Sequence, residues 1–302
     1  MTKEFYSNGK LLLSGEYAIL DGAEGWAIPT KYGQYLKVNE TNTRTLSWRS
    51  IDADGTVWFT GSYTLKDFKE IASTNEEISK NLIHILNEIR KLEPNFLTNT
   101  EGCKVQTELT FPRVWGLGTS STLIANLSSW AKVDPYTLLS KTFGGSAYDI
   151  ACAQNDGPII FQLKDKVPII TNIDTTPPFT KALFFIYLNQ KKNSREAIAA
   201  YRSLKSDKAK LTQDISELTR KMISSQNLRD FEELLNAHER RLSRVLQTTP
   251  IKEKLFKDYQ GSIKSLGAWG GDFILATGNE ETPEYFKSKG YSVVLPFSKM
   301  IL

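Results

Sequence analysis

The stretch PRVWGLGTSSTLIANLSSW, Pro112 to Trp130, joins a turn rich in glycine and hydroxyl groups to an apolar segment. Just before it, CKVQTELTF alternates apolar and polar residues as a strand does. The order is therefore strand, glycine turn, helix. Gly116 and Gly118 let the backbone come close to a ligand, and the N–H groups that open the next helix point into that space with a favourable dipole. Thr119, Ser120, Ser121 and Thr122 offer hydroxyls to phosphate oxygens or to magnesium. No lysine follows the glycines, so this is not the P-loop pattern. A plainer reading stays open at this point: Thr119 or Ser120 caps the helix and the glycines serve the turn.

The surrounding chain is mixed α and β. Residues 9–20, GKLLLSGEYAIL, read as a strand, a turn at Ser14-Gly15 and a second apolar run. Asp54-Gly55 marks a hairpin turn. Thr74 and Glu77 form an expected capping box, after which Ile78, Leu82, Ile85, Leu86 and Ile89 share one helical face. A proline-rich break, TNIDTTPPFT, places a domain boundary near residue 175, giving 1–175 and 176–302. Beyond it come the strand KALFFIYL, amphipathic helices between Arg195 and Val245, and the strands GDFILATG and YSVVLPF.

Bulk properties narrow the function. With 40% hydrophobic residues and 24% charged, the 302-residue chain can bury a substantial core and is globular. A net charge of +4 suits an anionic small molecule and is too small to imply nucleic acid. Cys103 and Cys152 suggest neither a disulfide framework nor a zinc site. With no apolar leader and no membrane-length run, a cytoplasmic protein without membrane partners is expected. His84 and His238, the only two histidines, both read as surface or boundary helix residues, so the chemistry is expected to run without histidine.

Two further glycine-rich stretches matter. FGGSAYDIACAQNDG sets Asp149 just after two glycines and Ser146, where either residue could cap a helix or Asp149 could lie beside a reacting hydroxyl. KSLGAWGGDFILATG packs Gly267, Gly270 and Gly271 ahead of a strand. Taken in order, the lysine-led strand with GEYA, P-x-x-x-G-L-G-(T/S)-S, GGSAYDIA and K-x-x-G-A-x-G-G resemble the GHMP small-molecule kinases. That family is named for galactokinase, homoserine, mevalonate and phosphomevalonate kinases. The likeness runs from Gly9 to the final strand; GEYAIL looks most like phosphomevalonate kinases, and size and motif order also suit mevalonate kinases.

The resemblance implies an α+β, two-domain fold, with an N-terminal domain like ribosomal protein S5 domain 2 and a ferredoxin-like C-terminal domain. It implies ATP and Mg2+ as cofactors. Pro112, Gly116, Leu117, Gly118, Thr119, Ser120 and Ser121 would wrap the nucleotide phosphates, with Ser120 helping to hold magnesium. Asp149 would be the catalytic base and Lys10 its partner near the γ-phosphate. Glu16, Tyr17, Ser146, Ser194, Gly267 and Gly270 would line the substrate side, with Lys191, Lys192 and Arg195 as further cations for a phosphorylated substrate. The substrate would be a small acidic alcohol or its phosphate, mevalonate ahead of 5-phosphomevalonate, handled by a monomer or homodimer. A non-catalytic metabolite-binding homologue is the alternative. The chain departs from mevalonate kinases in carrying Tyr17 where they have histidine. It also lacks a glutamate in AKVDPYTLLSKTFGGSAYD, where Asp134 is the nearest acid.

Overall fold

The computed structural model describes residues 2–192, 194–205 and 207–302, with the backbone alone at Ser194 and Arg195. The chain forms two compact units. The first holds the residues up to Gly9, Tyr32–Arg113 and Leu117–Gln154; the second holds Lys10–Lys31, Val114–Gly116 and Asn155–Leu302. The units thus do not follow a linear division at residue 175, because two long strands, β1 (Thr2–Ser14) and β2 (Gly25–Glu40), each contribute to both.

The first unit continues with β3 (Thr45–Ile51), β4 (Val57–Thr64), β5 (Glu70–Ser73), α1 (Glu76–Leu92), β6 (Cys103–Leu109), α2 (Thr119–Ala131), α3 (Pro135–Lys141) and α4 (Tyr148–Ala153). Its strands lie in the order β5-β4-β3-β6-β2, antiparallel except where β3 runs parallel to β6. The period of two in β6 buries Cys103, Val105, Thr107 and Leu109. Against Cys103 and Val105 α1 lays the expected face of Leu82, Ile85, Leu86 and Ile89, joined by Ile124 and Leu127 of α2. The capping box is not what starts α1. The Asn75 side chain accepts the Ile78 N–H at 3.0 Å, while Thr74 is held by Thr60 of β4.

Polar contacts fix α2 on β2. Gln34 accepts the Thr122 hydroxyl on its side chain and Asn126 Nδ2 on its carbonyl, both at 2.8 Å. Ser7 donates to Asn126 Oδ1 at the same distance. These buried groups set the rotation of α2 and so the direction in which its first turn opens.

The second unit adds β7 (Ile159–Lys164), β8 (Val167–Asn172), β9 (Leu183–Tyr187), α5 (Ser194–Ser203), α6 (Lys208–Ser224), α7 (Leu228–Leu246), α8 (Ile251–Leu255), β10 (Ile263–Ser265), β11 (Phe273–Thr277), α9 (Thr282–Ser288), β12 (Val294–Pro296) and α10 (Phe297–Met300). Gly25–Ala27 of β2 pairs with β7, and β7 with β8. The remaining strands make an antiparallel sheet in the order β10-β11-β9-β12. Counted along the chain that order is 2-3-1-4 within a β-α-β-β-α-β sequence, the ferredoxin-like topology expected for this half. One face of this sheet packs Phe184, Ile186, Ile274 and Ala276 against Phe256 and Phe286. No helix among the described residues is long and apolar enough to cross a membrane.

Asn75→Ala is expected to lower stability by about 1 kcal/mol, and Asn75→Ser by far less, since serine also caps. Urea midpoints of the two variants check this.

Candidate active site

In the first unit the loop enters α2 through Leu117, which is fully buried, and Gly118, whose φ of +98° lies in the left-handed region. No side chain caps the helix. The hydroxyls of Ser121 and Thr122 turn back to the Gly118 carbonyl, at 2.8 and 3.1 Å, and away from the first-turn N–H groups. The capping role open to Thr119 or Ser120 is therefore not taken up, and Ser120 is exposed. The second glycine stretch repeats the device. Gly144, Gly145 and Ala147 all have positive φ, and α4 opens from Ala147 with no side-chain cap and Asp149 in its first turn. Asp149 is half-buried and Ser146 buried. Helix α4 packs on α2. Asp134, the acid nearest the missing glutamate, is occupied as the cap of α3, accepting from the N–H and hydroxyl of Thr137.

In the second unit the turn after β1 is bonded at almost every polar group. Gly15, at φ +99°, passes so near β2 that a Cβ there would lie 2.7 Å from the Gly25 Cα. The Ser14 hydroxyl meets that of Thr219 on α6 at 2.8 Å and accepts the Trp26 N–H at 3.3 Å. The Gly15 N–H donates to His238 Nε2 on α7 at 3.2 Å. Glu16, expected to touch substrate, is instead only 1% exposed and ion-paired with Lys264 of β10, itself 0% exposed. His238 is likewise buried and is not the surface residue expected, because the Gly15 turn needs an acceptor inside α7. Burial, and then the Lys264 charge, hold its imidazole well below the usual range and so neutral.

Glu239 completes the cluster, accepting the Ser265 N–H and hydroxyl at 3.1 and 3.2 Å. Burial pushes its carboxyl up to about 8, with the nearby Glu16 adding to the rise and Lys264 and Ser265 opposing it. Burial raises the Glu16 carboxyl as well, against the opposing Lys264 charge, so both carboxyls of the cluster hold protons more tightly than free ones. Tyr17 is also buried, with its ring 5.3 Å from that of Tyr201 on α5 and its hydroxyl pushed up to about 12 by burial and the Glu16 charge. Tyr17 shares its apolar cluster with Trp269 of the third glycine stretch.

That stretch carries positive φ at Gly267, Trp269, Gly270 and Asp272. Around Asp272 it gathers Gly116 and Lys192, whose N–H lies 3.4 Å from the carboxylate. Burial pushes the Asp272 carboxyl up; the Lys10 ammonium, the Lys192 N–H and Lys191 pull it back. Asp272 thus lies against Gly116 and Lys192 Cε passes 3.9 Å from where a Cβ on Gly270 would stand, whereas Glu16 is turned into the buried cluster. The Ser194 and Arg195 side chains lie outside the described residues. Lys264, Glu239 and Asp272 were not singled out from the sequence. His238 could have been placed inside, because it continues the buried α7 stripe of Phe231, Leu235 and Leu242 at helical spacing.

No family model matches the chain, and no curated protein matches it by sequence. Solved structures do. It is similar to the mevalonate kinase of Methanococcus jannaschii (TM-score 0.70, 16% identity, 97% of this chain and 96% of that one). It is similar also to the Streptococcus pneumoniae phosphomevalonate kinase in complex with phosphomevalonate and AMPPNP (0.69, 14%, 95% of each). A third likeness is to the Lactococcus lactis galactokinase complexed with galactose (0.62, 14%, 95% of this chain and 88% of that one). The fold is the two-domain fold these GHMP kinases share, over nearly the whole chain.

Two outcomes test the buried cluster. Lys264→Met leaves Glu16 unpaired and is expected to cost about 3–5 kcal/mol, whereas Glu16→Leu combined with Lys264→Met should recover most of that loss. Glu239 has a folded-state pKa above its unfolded value, so its contribution is complete below about pH 4.5 and drains away as pH rises through about 8. Unfolding free energies measured across that window should fall by roughly 1 kcal/mol per pH unit in the wild type and stay flatter in Glu239→Gln.

Proposed function

We propose that this chain is a GHMP-family kinase that transfers the γ-phosphoryl group of ATP to a mevalonate-pathway intermediate, mevalonate ahead of 5-phosphomevalonate. The observation that carries the reading is the start of α2, where a left-handed glycine delivers the chain to a helix whose first turn no side chain caps. N–H groups so placed, beside the Ser120 hydroxyl, suit phosphate oxygens. The likeness in fold to kinases that bind AMPPNP, phosphomevalonate and galactose supports the same reading.

In this reaction Asp149 accepts the proton of the attacking hydroxyl, and Lys10 offsets charge on the transferring group. Phosphoryl transfer asks chiefly for positioning and neutralisation, so a site without histidine suffices. Among the described residues no group of three or more His, Cys, Asp or Glu side chains forms a metal cluster. Ser120 offers one hydroxyl, and magnesium takes much of its shell from nucleotide phosphates and water, so the donors fit a metal carried in on ATP. Held there with ATP, such an ion would supply charge neutralisation on the nucleotide phosphates.

The test is ADP release with magnesium-ATP against mevalonate, 5-phosphomevalonate, homoserine and galactose. Turnover is expected on one of the first two, and Asp149→Asn should lower kcat by roughly 10²–10⁴-fold with an unchanged melting temperature. The thin metal shell favours one second reading, a metabolite-binding homologue, which calorimetric ATP binding without ADP release on any substrate would establish.

A further inference from the structure

We propose that the free edge of β8 is a docking surface for a second copy of this chain. The two β8 strands pair antiparallel about a two-fold axis at Ile170 and carry the sheet from one protomer into its partner. The proposal goes beyond the kinase reading and uses none of the residues placed in the candidate active site.

Strand β8 closes one end of its sheet, with β7 on one side and no strand among the described residues on the other. The chain reaches it through a two-residue turn, Asp165 and Lys166, both at positive φ as a tight hairpin requires. From Val167 to Asn172 it reads VPIITN, without a charge, and every residue but Pro168 is exposed. Three of the nine large apolar side chains exposed among the described residues fall in these six positions: Val167, Ile169 and Ile170. Single exposed apolar residues mean little, but three along an unpaired strand edge invite another strand. The opposite edge is different. There β5 is four residues long, opens on Glu70 and exposes one large apolar side chain, Ile71.

The ladder with β7 fixes which backbone groups of β8 face outward. The Ile173 N–H donates to the Pro158 carbonyl at 2.9 Å, one step beyond the Ile159–Asn172 pair. Backbone groups alternate sides along a strand, so those of Val167, Ile169 and Thr171 also face β7. Those of Pro168, Ile170 and Asn172 face away. A strand added here must set outward residues opposite outward ones, which removes every other register. Of the registers left, the one centred on Ile170 sets Lys166 opposite the partner's Asp174, at both ends by symmetry.

The same register satisfies the backbone. Ile170 exchanges its N–H and carbonyl with the partner's Ile170, and the Asn172 N–H donates to the partner's Pro168 carbonyl. Pro168 lacks an N–H, so it costs one bond per strand and leaves the rest intact. On the face that β8 exposes, Val167 lies opposite the partner's Ile173 and Ile169 opposite the partner's Thr171. Each copy uses the same edge, so assembly stops at two, whereas β8 set on β5 of the next copy would continue without end. The edge is short against the roughly 1,600 Å² of a standard interface, so the dimer is expected to dissociate in the micromolar range.

Sedimentation velocity on the full chain, from about 1 µM to about 100 µM, tests the pairing. The mass should rise from that of the 34.1 kDa chain toward twice that value. Ile170→Lys sets two ammonium groups against each other on the axis and should weaken the dimer by at least about tenfold. Lys166→Asp faces the partner's Asp174 with a like charge and should weaken it by roughly three- to tenfold. Adding Asp174→Lys restores opposite charges with the signs exchanged and should return the affinity to within about twofold. Both positions are exposed, so the melting temperature of the double variant should match the wild type. A chain that stays monomeric at about 100 µM overturns the proposal, as does a mass beyond two chains. A dimer that ignores Ile170→Lys uses another surface. One that Ile170→Lys dissolves but the charge exchange does not restore has another register, and either result overturns the proposal too. ADP release enters none of these readouts, so they fail or succeed separately from the kinase reading.

Discussion

Much of the second unit turns on a charge pair kept entirely out of water. Removing a carboxylate and an ammonium from solvent costs several kcal/mol per ion, and their attraction offsets this only with good geometry and further bonds. Glu16 and Lys264 meet those terms because the chain around them leaves little freedom. Gly15 is bonded to His238, Ser14 to Thr219 and Trp26, and Ser265, next to Lys264, to Glu239. A pair of apolar residues would hold the same volume at no greater cost, but they would slide. The charges and their bonds fix one register between the turn after β1, helices α6 and α7, and strand β10. Lys10 precedes that turn by a few residues, and the third glycine stretch leaves directly from β10. Both loops that bear candidate residues are therefore set from one buried cluster.

The first unit solves a similar problem without charge. Its glycine turn opens a helix that no side chain caps, and a helix end left uncapped gains no placement from its own side chains. The placement comes from one turn further in, where Gln34 of β2 grips Thr122 and Asn126 at 2.8 Å each. Leu117 anchors the other side in the core. The polar grip lies one turn into α2 and leaves its first-turn N–H groups without a side-chain cap.

What the sequence discloses tracks the range of the interaction responsible. The α1 face, the β6 alternation and the strand–glycine–helix order around Gly116 and Gly118 are local periodicities, and each appears in the structure where it is expected. The cap of α1 shifts by one residue because Thr74 and Asn75 are equally able to cap, and Thr60 of a neighbouring strand engages the first of them. Glu16 and His238 went astray for a longer-range reason. Their partners stand more than two hundred positions away, so GEYA reads as an exposed turn and AHERR as a solvated helix face. The apolar stripe through Leu235 and Leu242 was the one local sign that His238 turns inward.

The third glycine stretch shows how a loop can be read for its tasks by where it declines to use glycine. Positive φ is free for Gly267 and Gly270 but strained for Trp269 and Asp272, so those two side chains must return something the backbone gives up. Trp269 returns burial, in the cluster with Tyr17 and Tyr201 that anchors the loop on the turn after β1. Asp272 has no such return from burial, which disfavours its charge. What it gains is electrostatic and depends on Lys10, Lys191 and the Lys192 N–H being present. A strained, partly desolvated carboxylate adds nothing to a scaffold by itself. Its place in the loop is held instead by bonds: its N–H donates to the Gln190 carbonyl, its carbonyl accepts the Leu188 N–H, and its carboxylate accepts the Lys192 N–H at 3.4 Å.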